Sequence, residues 1–440
     1  MFLFAADSSN LRPKRLTEFT GAFGNAQCVR NESAVLVWTD DGFTEYEQRG
    51  NLSVVGLRRP SLDQNPLVQL EWNTWSKTVF CRRSWSGEFA AWYRREPSLI
   101  VTSHLKLAAF LVRDFDVLWK RLEPEHTIST SLGVAARQSG PVVVDDFRCC
   151  IQGFKWTYAD LTRDVREMVL RSVRGYPRDV ALLLSGGLDS SILAASAVRL
   201  GKRVTAYALS LPASVRPPGA DDDLTAARRT AVEFSIPLVE IRVSPSRVVA
   251  DTPLGVYLAE TSRGTFVDDT PLLVAAAREL RKEGLSSVWM GEGADDLFGG
   301  FKFAFRYYRG DELARYFRSQ LRFDLPNELA MIQNVFMAWG ISVVQPFLSR
   351  DLFDVGYALP LELRVDKRRV MKQVLRDAFA QDLPSWIVQR TKIATRDGTG
   401  ARNVLAERYG TAPNRYRSLF RRVLGGGSQW HKELLRIPKT

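Results

Sequence analysis

Residues 180–184, Val-Ala-Leu-Leu-Leu, run directly into Ser185-Gly186-Gly187-Leu188-Asp189-Ser190-Ser191, and no other stretch constrains this chain as strongly. Five consecutive aliphatic residues suit a strand covered on both faces, as in a parallel sheet. Residues 190–200 then mix small and aliphatic side chains at helical spacing, with Ser190 and Ser191 suited to the first turn. Two glycines between strand and helix let the backbone turn sharply and expose successive N–H groups, while the helix adds the positive end of its dipole. Such a unit is an anion cradle. Its spacing is neither Gly-x-Gly-x-x-Gly nor Gly-x-x-x-x-Gly-Lys-Ser/Thr, so a dinucleotide fold and a Walker-type NTPase both fit poorly. An ordinary glycine-rich turn is the bland alternative.

Around that unit the chain divides in two. Residues 1–155 read as mostly β, with strands expected at 34–38, 52–57, 89–93 and 99–102 and turns at Asp40-Asp41-Gly42, Arg49-Gly50-Asn51 and Arg94-Arg95-Glu96-Pro97. From residue 156 helices and strands alternate. Helical stripes fall at 161–174, 224–234 and 271–283, and strands at 204–211, 238–243 and 287–290. That alternation predicts a doubly wound parallel sheet, whose ligands bind beyond the carboxyl ends of its strands. Ser185, Gly186, Gly187, Leu188 and Asp189 fall at one such end and residues 291–296 at another, which predicts that they lie side by side. Beyond Phe301 the pattern is largely helical. Gly425-Gly426-Gly427 reads as a hinge before a basic tail.

A net charge of +12 over 440 residues favours an acidic ligand. No stripe of Arg and Lys interleaved with aromatics marks a nucleic-acid binder. Cys28, Cys81, Cys149 and Cys150 lack Cys-x-x-Cys spacing, and three scattered histidines give no zinc pattern. With no signal peptide pattern and no run of 18 apolar residues, a cytoplasmic protein without membrane contact is the expectation.

Ser-Gly-Gly-Leu-Asp-Ser-Ser resembles the pyrophosphate loop of ATP pyrophosphatases. Further on, Gly291-Glu292-Gly293-Ala294-Asp295-Asp296-Leu297-Phe298-Gly299-Gly300 narrows the resemblance to the asparagine synthetase superfamily. A third block agrees: Gln345-Pro346-Phe347-Leu348, Arg369-Val370-Met371-Lys372, Leu383-Pro384 and Arg390-Thr391-Lys392. The resemblance implies an amide ligase that forms AMP and pyrophosphate, using ATP and Mg²⁺. It implies that Ser185, Gly186, Gly187, Leu188, Asp189 and Ser190 hold pyrophosphate, and that Asp189 and Asp295 hold the metal. Leu183, Leu209, Met290 and Gly291 would surround adenosine, Lys372 and Lys392 would neutralise phosphate charge, and Glu292 would position or deprotonate the amine. Spreading that much negative charge requires a metal and lysines on physical grounds as well. For Lys372 a solvated basic helix face is the rival.

Two departures shape the functional expectation. Position 2 is Phe2, where glutamine-dependent members carry a nucleophilic cysteine, although Gly87-Glu88-Phe89-Ala90-Ala91 and Leu122-Glu123-Pro124-Glu125-His126 are similar to glutaminase fragments. Residues 1–155 are therefore expected to be a silent, glutaminase-like domain of the N-terminal-nucleophile type, and residues 156–440 the synthetase domain. Residues 259–270 also lack the Thr-Thr-Ile-Arg-Ala-Ser segment of bacterial asparagine synthetases, and Ser349 replaces an Asp, which weakens the case for free aspartate. Superfamily members with silent first domains include β-lactam synthetases and lasso-peptide cyclases. The expected function is adenylation of a small-molecule or peptide carboxylate for attack by an amine, with lasso-type macrocyclisation the favoured form. A precursor peptide and a protease are the expected partners. An asparagine synthetase supplied with ammonia and a non-catalytic nucleotide-binding paralogue are the alternatives.

Overall fold

The computed structural model describes residues 1–5, 26–30, 34–39, 43–57, 68–73, 78–83, 89–94, 99–104, 119–122, 126–131, 142–145, 155–216, 222–365 and 370–425, with isolated residues between. The turns at Asp40–Gly42 and Arg95–Pro97, the pairs Gly87-Glu88 and Cys149-Cys150, residues 123–125, Arg369 and the tail from Gly426 lie outside these.

The first third forms two antiparallel sheets. One orders its strands Lys120–Arg121, Trp92–Arg94, Ile100–Thr102, Phe2–Ala5, Val35–Thr39 and Ala26–Arg30. The other orders them Val142–Asp145, His126–Ser131, Thr78–Arg83, Val68–Asn73, Leu52–Leu57 and Thr44–Arg49. Side chains alternate across each pleat. Phe2 and Phe4 point into the core between the sheets with Trp72, Leu70 and Ile128. Leu3 and Ala5 face the opposite way and join the core of the following α/β portion. Arg83 ties the two portions together, donating from Nη2 to the Pro326 carbonyl at 3.4 Å.

The second portion is built on five parallel strands: β1 (Asp179–Leu183), β2 (Arg203–Ser210), β3 (Leu238–Arg242), β4 (Ser287–Trp289) and β5 (Ser342–Val344). Their order is β3-β2-β1-β4-β5, so the winding reverses at β1. Before them comes α1 (Tyr158–Arg174), whose Thr157 cap accepts from the Asp160 N–H at 3.2 Å and whose buried stripe is Leu161, Val165, Val169 and Val173. Helices α2 (Leu188–Arg199) and α3 (Asp223–Glu233) cover one face of the sheet; α4 (Pro245–Ala259), α5 (Thr270–Lys282) and α6 (Leu325–Met337) cover the other. The pleat of β1 sorts accordingly, Val180 and Leu182 to the first face and Ala181 and Leu183 to the second. Because both faces are covered, β1 carries no polar alternation, which is why its aliphatic run reads so clearly.

Helix α4 and strand β5 were absent from the expectation. In α4 two prolines mask the periodicity. Pro245 occupies the first turn, where its missing N–H costs nothing, behind the Ser244 cap, and Pro253 sits inside the helix. Strand β5 is three residues long and stops at Gln345-Pro346. Among the described residues no helix is long and apolar enough to cross a membrane.

The turn out of β1 is set by Gly186, which has φ +67°. A Cβ there would also lie 2.3 Å from the Ala226 carbonyl carbon in α3. Gly186→Ala should therefore destabilise the fold by about 2 kcal/mol or more, through left-handed strain and a clash with backbone. Urea denaturation of the purified variant measures this directly.

Candidate functional site

Both loops named by the sequence open at the carboxyl end of the sheet, next to the point where its winding reverses. β1 leads through Ser185-Gly186-Gly187 into α2, whose first turn carries Asp189. The Ser185 hydroxyl accepts from the Gly187 N–H at 3.3 Å, and the Ser190 hydroxyl donates to the Gly187 carbonyl at 3.3 Å, so the loop is held by its own side chains. β4 leads through Gly291-Glu292-Gly293 into the short helix Ala294–Phe298, whose first turn carries Asp295.

A third element brings the two acids together. Lys372, 2% exposed, sends its ammonium between them. Its Nζ lies 2.5 and 2.6 Å from the two oxygens of Asp189 and 2.5 Å from Asp295 Oδ1. Lys392 closes the square, 2.6 Å from Asp295 Oδ2 and 4.0 Å from Asp189 Oδ2. A solvated helix face for Lys372 is thereby overturned.

Close backbone approach makes the geometry possible. At Gly300 a Cβ would stand 1.6 Å from Asp295 Oδ1 and 2.6 Å from Lys372 Cε, so only glycine fits. Lys372 itself has φ 59° and ψ 37°, the left-handed region, which costs a non-glycine residue about 1 kcal/mol. Its backbone is pinned on both sides: its N–H donates to the Arg364 carbonyl at 2.9 Å, and its carbonyl accepts from the Arg376 N–H at 3.0 Å. Arg364 in turn donates to the Leu297 and Gly356 carbonyls, which anchors this turn to the Asp295 helix.

The clamp sits in a cavity of about 480 Å³, within the range of small-molecule sites. Leu183, Leu209, Met290 and Gly291 line it, as do Ser185, Gly187, Leu188 and Ser190. Gly186 does not, because its α-carbon turns toward α3 instead. A second hollow of about 980 Å³ opens at the amino ends of the strands, beside Asp179, Arg203 and Ser287, at the wrong end of the sheet for ligands of such folds.

Burial and neighbouring charges of opposite sign act on Asp295, Lys392 and Glu292 in opposite directions. Burial would raise the Asp295 carboxyl, but Lys372 and Lys392 outweigh it and hold the group below the usual carboxylate range. Burial would lower Lys392, yet Asp295 and Asp189 hold its ammonium above the ordinary lysine value. Glu292 behaves oppositely. Burial pushes its carboxyl up to about 7, with Asp295, Asp269 and Asp189 adding to the rise and Lys392 opposing it. Burial, then Asp295 and Glu292, push Asp296 well above the carboxylate range; burial, then Glu292 and Asp296, do the same to Glu328.

Several residues here were not assigned roles from sequence. Arg390 donates to the Ser185 carbonyl at 3.2 Å and pairs with Asp223 at 3.0 Å, bracing the glycine loop from the side. Arg396 pairs with Asp269 at 2.6 Å, and with Glu328 they line the part of the cavity beyond Glu292. Their positions come from α3, the residue capping α5, α6, and the stretch around the short helices Ser385–Gln389 and Thr395–Gly398, far apart in the chain, so no local pattern marks them.

Asp189 and Asp295 supply hard oxygen donors from two elements that meet at one ammonium. That pair suits a divalent cation such as Mg²⁺, which takes one or two carboxylates and completes its shell with water and phosphate oxygens. Among the described residues no larger cluster of metal-ligating side chains occurs.

Fold and site together define an α/β protein with a glycine loop at the carboxyl edge of a parallel sheet, flanked by two lysines and two aspartates. The chain belongs to the Asparagine synthase family, whose profile matches residues 164–334 and 309–421. It is 26% identical over 303 residues to a Methanocaldococcus jannaschii protein that bears the name of a glutamine-hydrolyzing asparagine synthetase, covering 58% of this chain and 52% of that one. It is 26% identical over 234 residues to asparagine synthetase B [glutamine-hydrolyzing] of Escherichia coli, covering 50% of this chain and 41% of that one. The match thus spans about half, or less, of the length of these relatives. Among solved structures, NMN synthetase from Francisella tularensis aligns over 63% of this chain and 97% of its own, with 12% identity and a TM-score of 0.30.

Two measurements probe the clamp. Lys372→Met leaves the Asp189 carboxylate without its close cation and should destabilise the protein by about 3–5 kcal/mol, the usual cost of breaking a buried pair from one side; urea denaturation reads it. Glu292 is raised in the folded state, so its contribution to stability is full below the ordinary glutamate range and is lost as pH rises through about 7. The melting temperature of the native protein should therefore fall relative to Glu292→Gln between pH 4.5 and 8, as followed by thermal scans across that range.

Proposed function

We propose that this protein is an ATP-dependent amide ligase that forms AMP and pyrophosphate and carries its amine on the same substrate as the carboxylate. The observation that carries the proposal is the Asp189–Lys372–Asp295–Lys392 square set over the Ser185–Ser190 loop. Residues 156–440 form the synthetase part in this account, and residues 1–155 a degenerate glutaminase-like part.

The chemistry has two steps. A substrate carboxylate oxygen bonds to the α-phosphorus of ATP while the bond from that phosphorus to the bridging oxygen breaks, releasing pyrophosphate. The amine nitrogen then bonds to the acyl carbon, the acyl–oxygen bond breaks and AMP leaves. Mg²⁺ held by Asp189 and Asp295 would supply a positive centre for the phosphate oxygens. Ser185, Gly187 and Ser190 offer donors from the loop, and the α2 amino terminus adds its dipole. Lys372 and Lys392 balance the charge of the departing pyrophosphate. Leu183, Leu209 and Met290 give the adenosine an apolar wall. Glu292, with its carboxyl pushed up to about 7, is suited to accept the ammonium proton as the amine attacks.

Acid lining argues against free aspartate as the substrate. Asp269 and Glu328 border the cavity beyond Glu292, and the nearby Arg396 is engaged by Asp269. Free aspartate would bring a second carboxylate into that wall, whereas a peptide or β-amino acid with a single reacting carboxylate brings an amide or an amine. Intramolecular closure of a peptide, of the lasso type, satisfies these conditions; ammonia-dependent asparagine formation is the competing account.

Pyrophosphate release with aspartate plus ammonium, measured against peptide and β-amino-acid substrates, tests the proposal. Asp189→Asn and Lys392→Ala should each abolish AMP formation while far-ultraviolet circular dichroism stays native. Turnover near the native rate in either variant would overturn the site assignment, and activity confined to aspartate plus ammonium would favour the competitor.

A further inference from the structure

Seven large hydrophobic side chains are exposed among the described residues, and four of them, Phe303, Tyr307, Tyr308 and Phe323, fall within 21 residues, the first of them lining the cavity. This segment comprises the helices Lys302–Tyr307 and Gly310–Ser319 and the π-helical stretch Gln320–Asp324 that leads into α6. Its aromatic rings form a connected ladder. Phe301 lies 6.0 Å from Phe303, Phe303 lies 5.6 Å from Tyr316, and Tyr316 stacks on Tyr308 at 5.2 Å. Only Ala304, Leu313 and Phe317 are fully covered in its small core.

Two further features distinguish the patch from a loose apolar surface. It is continuous with the candidate active site, because Phe301, Lys302 and Phe303 line the same cavity as Asp295 and Lys372. It is also basic: Lys302, Arg306, Arg309, Arg315, Arg318 and Arg322 stand against Asp311, Glu312 and Asp324, an excess of three positive charges over residues 302–324. Arg306 lies 5.8 Å from the centre of the Tyr307 ring, and Arg322 lies 5.8 Å from that of Phe323, so cation and ring are presented together. Exposed rings beside guanidinium groups favour a partner with aromatic or aliphatic side chains and carboxylates in one extended stretch.

We infer that residues 301–323 are a docking surface for an extended acidic segment of a peptide substrate, laid across the aromatic ladder so that its reacting end enters the cavity past Phe301 and Phe303. This inference rests on the amide-ligase proposal for the chemistry but concerns binding alone. The patch holds the part of the substrate that does not react, and distance along the ladder from the clamp sets how far from that segment the reacting carboxylate lies. Binding energy made remote from the reacting atoms is then available to position them.

The test uses the full chain and needs no turnover. A fluorescein-labelled peptide of alternating Glu, Leu and Tyr is titrated by anisotropy, with a peptide of the same length in which Lys replaces Glu and a single-stranded RNA of matched charge as comparisons. Arg306→Glu and the double variant Tyr307→Ser/Phe323→Ser change only exposed side chains, and native thermal melting checks that they fold. The expected result is salt-sensitive binding of the acidic peptide, little binding of the lysine peptide, and a loss of about tenfold in either variant. Equal binding to native protein and both variants, equal binding of the lysine peptide, or tighter binding of the RNA would overturn the inference. Pyrophosphate release by the same preparations keeps the two claims separable. A failed ligase leaves the anisotropy result standing, and lost docking leaves small-substrate turnover intact.

Discussion

The Lys372 ammonium, shared between the carboxylates of Asp189 and Asp295, is the contact on which the rest of this site depends. It joins the first turn of α2 to the helix after β4 and to a turn more than seventy residues further along the chain. Buried carboxylates that close would repel each other, and a buried lysine alone would shed its proton. Together they are stable, and they hold the ends of two adjacent strands in register. Such a square of two acids and two bases is internally neutral. In the proposed reading Lys372 and Lys392 would hold phosphate oxygens, and Asp189 and Asp295 a divalent cation, in place of one another. Each of the four side chains would then keep a partner of opposite charge.

The same arrangement explains why the surrounding backbone is so constrained. Gly300 admits no side chain beside Asp295, and Lys372 occupies a left-handed conformation that its two backbone hydrogen bonds and the buried Arg364 keep in place. Strain of this kind persists where surrounding structure over-determines it, and it clusters at functional sites. Around the neutral square lies an acid-rich wall of Glu292, Asp296, Glu328 and Asp269, relieved by Arg396. In the proposed reading the square would face the phosphates and the acid-rich wall the amine.

What the sequence disclosed depended on whether the physics was local. Strand β1 was legible because burial on both faces leaves an unbroken aliphatic run, and α1 because Leu161, Val165, Val169 and Val173 mark one stripe. The two loops were legible because a tight turn demands glycine and a helix start favours an acid. Helix α4 was hidden by Pro245 and Pro253, and β5 by its three-residue length. In the first third only parts of the strand pattern emerged: Val68–Asn73 and Thr78–Arg83 alternate buried residues with Gln, Glu and Arg, so neither reads as an apolar run. The bracing pair Arg390–Asp223 and the pair Arg396–Asp269 join residues more than a hundred positions apart, and nothing in a single sequence announces such meetings. Lys372 stood among other basic residues, and only its burial separates it from them.

The most direct test of the central claim is calorimetric binding of a non-hydrolysable ATP analogue to the native protein and to Asp295→Asn, each with and without Mg²⁺. If the square exchanges its partners for a metal–triphosphate complex, the native protein binds the analogue with a clear Mg²⁺ dependence that Asp295→Asn loses. Undetectable binding, or binding that is indifferent both to Mg²⁺ and to the Asp295 carboxylate, would contradict the account.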